Sequence, residues 1–148
     1  MEENVTAMLA QVSRLMRRAF DERARQIGVT RPQWQVLSVL ARNEGINQGA
    51  LADMLEVEPI TAGRMIDRLQ DADLVQRRPD PADRRAWRLH LTARGTELLD
   101  ELRPFARETL ELALDGISEG ERAGLNQTLL QMRSNLTRRA PTEAVANG

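Results

Sequence analysis

Thr61, Arg64 and Arg68 stand at i, i+3 and i+7, a spacing that gathers all three on one face of a helix. An arginine projecting from such a face can fork onto O6 and N7 of guanine, while a threonine can meet a thymine methyl or a phosphate. Gly63 beside them lets a backbone come close. A second cluster, Asp83-Arg84-Arg85 followed by Arg88, falls in a turn-rich stretch. Arginine at a loop tip suits the minor groove, whose negative potential deepens where it narrows. Asp83, two residues before Arg85, can orient that guanidinium by a charge-assisted hydrogen bond. Residues 77–94 hold six arginines against two aspartates, so positive charge collects here although the net charge is only −1. Either cluster alone also reads as a solvated face, with Arg64–Asp67 or Arg68–Asp71 salt bridges. Together they point to nucleic acid.

Other chemistry is scarce. The chain has no cysteine, which excludes disulfides, thiolate nucleophiles and peroxide sensing through a thiol. Its one histidine, His90, has no companions for a metal site and is expected to face solvent or a phosphate. No glycine-rich phosphate loop and no nucleophile paired with a base can be found, and the carboxylates sit among arginines on helical faces. The reading is therefore a protein that binds rather than catalyses, without metal or cofactor. A helical protein-interaction module is the rival, and it leaves both arginine clusters unexplained. No apolar run approaches the ~20 residues of a membrane span, and the acidic start Met1-Glu2-Glu3 is not a signal peptide, so a cytoplasmic location is expected.

The elements that must carry these residues are mostly helical. Across 148 residues the aromatic share is only 3%, so the core must come from Leu, Ala, Val, Ile and Met, a composition that favours helix. Helical spacing predicts a long first helix over 5–27, ending near Gly28. Thr30 and Pro32 open a second helix carrying Trp34, Leu37, Val39 and Leu40. A third follows Asn47 with Leu51, Ala52 and Leu55 inward, and Pro59 opens a fourth that runs to about Asp73. The runs 74–78 and 86–91, joined by Pro79-Asp80-Pro81-Ala82-Asp83, predict a hairpin with a long arginine-bearing loop. Thr92 caps a fifth helix that Pro104 should kink or break, and Leu125, Leu129, Met132 and Leu136 mark a sixth. Two short helices joined by a tight turn and followed by a hairpin form a winged helix-turn-helix. Glu56 occupies the turn position usually given to glycine, which implies some strain if the backbone there needs positive φ.

On these residues the chain resembles the MarR/SlyA-type bacterial transcription regulators. The segments that carry the resemblance are "LADMLEV", "PITAGRMIDRL", the Leu74-Val75 strand entry, "DPADRR" and "LTARG", in that order within residues 30–95. The resemblance implies a mostly α fold with a small β-hairpin wing. It divides the chain into a dimerisation helix (1–29), the DNA-binding domain (30–94), C-terminal dimerisation helices (95–140) and a flexible tail (141–148). It also implies a homodimer on a pseudo-palindromic operator of double-stranded DNA, acting as a repressor. The expected DNA-binding set is Gln48, Pro59, Thr61, Ala62, Gly63, Arg64, Arg68, Asp83, Arg84, Arg85 and Arg88. Relatives of this type bind aromatic carboxylates or phenols, which implies a small aromatic effector near Arg14 or Arg17 and Trp34, although Trp34 also reads as plain core.

Overall fold

The computed structural model describes the backbone of residues 2–146 and the side chains of residues 4–138; the expected tail side chains and Asn147–Gly148 lie outside them. The chain forms two compact units, Met1–Leu110 and Glu111–Gly148. Six helices and one hairpin follow in the order α1 (Glu2–Gln26), α2 (Arg31–Arg42), α3 (Gln48–Leu55), α4 (Pro59–Asp71), β1 (Val75–Pro79), β2 (Trp87–Leu91), α5 (Ala93–Ala113) and α6 (Glu119–Ala146). The fold is mostly α with a two-stranded antiparallel sheet, in register Val75–Leu91 through Pro79–Trp87.

Local chemistry sets the helix starts. Thr30 and Gln33 form a capping box on α2, each side chain bonding the other's backbone N–H. Asn47 Oδ1 accepts from Ala50 N at 2.8 Å and caps α3. Glu56 closes α3 in the left-handed region, at φ 57° and ψ 43°, so the turn does demand the positive φ that glycine would supply without strain. Thr92 joins hairpin to α5: its hydroxyl donates to Asp73 O at 2.6 Å and accepts from Gly95 N at 3.0 Å. A Cβ on Gly95 would stand 2.2 Å from Leu74 O, so only glycine lets α5 start this close to the strand. α5 continues through Pro104 without a break. Proline removes the N–H that would pair with the Asp100 carbonyl, and both residues are exposed, so that carbonyl is open to water.

The core of the first unit gathers Val36, Leu37 and Leu40 of α2, Leu51 of α3, Ile66 and Leu69 of α4, and Leu74, Val75, Leu89, Leu91 and Leu99. A satellite cluster joins Ala24, Val29 and Leu102 with Phe20, Trp34 and Phe105. The connection between α2 and α3 adds an outer rung to the hairpin, Gly45 N donating to Leu89 O and Leu89 N to Ile46 O, both at 2.9 Å. Burial of these aliphatic side chains, at roughly 1.5–3 kcal/mol each, is what holds α4 and the wing on a common base. In the second unit Arg122 closes the turn before α6, donating to Ile117 O and Leu114 O, each at 2.9 Å, and pairing with Glu111 at 3.2 Å.

Candidate nucleic-acid interface

α4 divides cleanly by face. Ala62, Ile66 and Leu69 are buried, whereas Thr61, Arg64 and Arg68 are exposed together, as their spacing requires. The two salt bridges considered for this helix do not form. Asp67 is taken by Arg77 of β1 at 2.7 Å. Among the described residues Arg64, Arg68, Arg84 and Arg85 have no acidic partner within 4.0 Å. Four unneutralised guanidiniums on a helix and its neighbouring wing form a surface for a polyanion.

Arg77 is the residue that sequence reasoning missed. Its guanidinium reaches Asp67, donates to Gln70 Oε1 at 3.0 Å and to Gly63 O at 3.3 Å, and so braces the wing against α4. Strand parity could have found it: Arg77 lies two residues from the buried Val75 and shares its face.

At the wing tip the acids act differently from expectation. Asp83 does not hold a guanidinium; its Oδ1 accepts from the backbone N of Arg85 at 2.9 Å and shapes the turn. Asp80 takes both jobs, accepting from Ala82 N at 2.8 Å and from Arg88 Nε at 3.1 Å. Those bonds, the Ala82 amide foremost, hold its carboxyl below the ordinary aspartate range. Arg88 is thereby committed to the hairpin, and Arg84 and Arg85 are left exposed at the tip.

Three further members of the expected set make contacts within the protein. Ala62 is completely buried and packs inside α4, so it touches no ligand. Gly63 makes room within the protein: a Cβ there would stand 2.8 Å from Gln48 Nε2. Gln48 donates to Pro59 O at 3.0 Å, tying the start of α3 to the start of α4. His90 is partly buried opposite Gln76, with its ring over Gly45.

Of the residues expected near an effector, Arg17 and Trp34 line one open groove of about 300 Å³ with Arg42, Met54 and Glu56, while Arg14 is exposed and does not line it. The Trp34 ring stands edge-on to Phe20 at 4.8 Å, and its indole N–H donates to Asp21 at 2.7 Å. The same carboxylate pairs with Arg31 and raises that guanidinium's pKa. Trp34 is thus half core and half groove wall.

A helix-turn-helix with an exposed basic recognition face and a braced arginine wing defines a winged-helix DNA-binding protein. Comparison with known proteins agrees. Residues 27–86 match the model of the MarR family. Over 129 residues the chain is 33% identical to the helix-turn-helix transcriptional repressor NicR of Pseudomonas putida, covering 82% of each chain. It is 30% identical over 114 residues to the helix-turn-helix regulator YybA of Bacillus subtilis, covering 77% of this chain and 76% of that one. The solved structure of a MarR transcriptional regulator from Methanosarcina mazei superposes with a TM-score of 0.81 at 27% identity, over 92% of this chain and 98% of that one. The chain belongs to the MarR family of DNA-binding transcription regulators. No helix among the described residues is long and apolar enough to cross a membrane.

Proposed function

We propose that the protein is a homodimeric repressor of a pseudo-palindromic operator, with α4 in the major groove and the wing tip in the adjacent minor groove. The observation that carries this reading is the set of four unpaired arginines, Arg64 and Arg68 on α4 and Arg84 and Arg85 on the wing that Arg77 braces against it. Repression is suggested by the similarity to NicR, which is named a repressor. Dimerisation is supported separately by each unit. α1 exposes Val5, Met8, Val12 and Leu15 along one stripe, and α6 exposes Leu125, Leu129 and Leu136. Apolar stripes left open at helical spacing need a cover, and a two-fold copy of the same chain supplies it. One winged domain alone offers too few contacts for tight specific binding; two would engage half-sites about 10 bp apart or a similar spacing near one turn of DNA.

Selection of bound sites from random duplexes tests the reading, followed by two substitutions in the selected operator. Arg64→Ala should relax preference at one position per half-site and cost ~1–3 kcal/mol. Arg85→Ala should weaken binding across all sequences and flatten the salt dependence. Variants that keep the parent's preference and salt slope would show the groove assignments to be wrong.

A second reading is favoured by the groove that joins Arg17 and Arg42 to the Trp34 face. Cationic side chains beside an indole fit a small aromatic anion, which would release DNA by preferring a conformer whose recognition helices are wrongly spaced. The chain has two tryptophans, so Trp87→Phe leaves Trp34 as the only indole reporter. Salicylate-like compounds should then change its emission saturably and release operator at the same concentrations. Flat emission and undisturbed DNA binding across a panel of aromatic acids and phenols would exclude this effector class.

A further inference from the structure

Ile60, the second residue of α4, is 71% exposed and belongs to neither apolar cluster. The other large aliphatic residues of this helix, Met65, Ile66 and Leu69, are buried or partly buried, so Ile60 is the exception on an otherwise amphipathic element. At 3.6 residues per turn it lies about 40° around the helix from Arg64, on the arc that also carries Thr61 and Arg68. An aliphatic side chain has no donor for a phosphate, and the only apolar group on a base edge in the major groove is the thymine C5-methyl. The unpaired Arg64 and Arg68 on the same arc select a polyanion as the occupant rather than an apolar protein surface.

We propose that Ile60 is a specificity residue that reads a thymine methyl beside the base contacted by Arg64. The proposal rests on the reading of α4 as the helix in the major groove. An offset of four residues is about 6 Å along the helix axis, less than two base-pair steps of roughly 3.4 Å. The thymine should therefore lie within two base pairs of the position whose preference Arg64 sets.

The test uses the full chain and its selected operator, with each thymine replaced in turn by deoxyuridine, which lacks only the methyl. The parent protein should bind about fourfold more weakly when the methyl is removed at one thymine per half-site, as loss of one buried methyl group predicts. Ile60→Ala should bind thymine and deoxyuridine operators equally, and Ile60→Val should restore the discrimination. The proposal is overturned if Ile60→Ala keeps the parent's discrimination, or if no thymine within two base pairs of the Arg64 position is sensitive. Arg64→Ala, run in parallel, separates the two ideas: loss of its base preference with unchanged thymine discrimination in Ile60→Ala refutes the Ile60 assignment alone. Unchanged preference in Arg64→Ala refutes the placement of α4, and the Ile60 assignment with it.

Discussion

Replacing Arg77 by Ala should damage DNA binding without removing a DNA contact. Its guanidinium joins three acceptors on α4: the carboxylate of Asp67 at 2.7 Å, the Gln70 amide oxygen at 3.0 Å and the Gly63 carbonyl at 3.3 Å. Asp67 is 63% exposed, so the ion pair is screened and contributes only about 0.5 kcal/mol. The two hydrogen bonds, one exposed and one long, add roughly 0.5–1 kcal/mol each. The whole brace is therefore on the order of 2 kcal/mol, which for a chain of this size lowers Tm by roughly 4–8 °C. A recognition helix freed from its wing should also lose operator affinity, by about 5–10-fold. Arg77→Lys should recover only part of both, because an ammonium on one stem cannot reach three acceptors as a planar fork does. Thermal unfolding and operator titration between 50 and 300 mM salt make the measurement. The signature of a brace is a lowered Tm with the parent's salt slope intact. An unchanged Tm with a flattened slope would mean that Arg77 contacts phosphate, and the argument would fail.

Three other outcomes follow from the geometry. Gly95→Ala places a Cβ 2.2 Å from Leu74 O and should cost ~1–3 kcal/mol or more in denaturant unfolding; a loss below 0.5 kcal/mol would show that α5 can move away freely. Glu56→Gly relieves a left-handed non-glycine residue and, set against the added freedom of the unfolded chain, should raise stability by about 0.5–1 kcal/mol, whereas Glu56→Val should lower it. Asp80 is held below the ordinary aspartate pKa of about 3.9, so its bonds to Ala82 and Arg88 are fully present above that value and are lost as pH falls through the lower folded value. The Ala82 amide resonance should titrate with a midpoint below 3.9; a midpoint at or above it would show that the wing-tip bonds do not form in solution.

What could be read from the chain and what could not differ by range. Helix starts depend on side chains a few residues apart, so Thr30 with Pro32 marks the start of α2 and Thr92 caps α5, each from the sequence alone. The faces of α4 depend only on helical period, so the exposure of Thr61, Arg64 and Arg68 and the burial of Ile66 and Leu69 were equally legible. Contacts between elements were not. Asp67 had Arg64 three residues away as an obvious partner, yet it pairs with Arg77 on the next element. Asp83 reads as a partner for a guanidinium but bonds a backbone amide, because a two-residue reach favours closing a turn. Ala62 and Gly63 fall among the expected DNA contacts by their position in the motif, yet Ala62 is buried and Gly63 leaves room for Gln48. In each case the sequence distance misjudged which neighbour folding would bring closest.

The rung formed by Gly45, Ile46 and Leu89 has a consequence for the hairpin as a sheet. It occupies the outer hydrogen-bonding side of β2 at Leu89, the middle of the strand, so no strand from another molecule can add there. β1 is the remaining edge, and its residues Arg78 and Pro79 oppose addition by charge and by a missing donor. A sheet that cannot grow on either side lets the loop from Pro81 to Arg85, between Asp80 and Ala86, vary in length and sequence without opening a route to aggregation. The wing tip, with its exposed Arg84 and Arg85, can therefore be exchanged as a module while the two strands beneath it stay as they are.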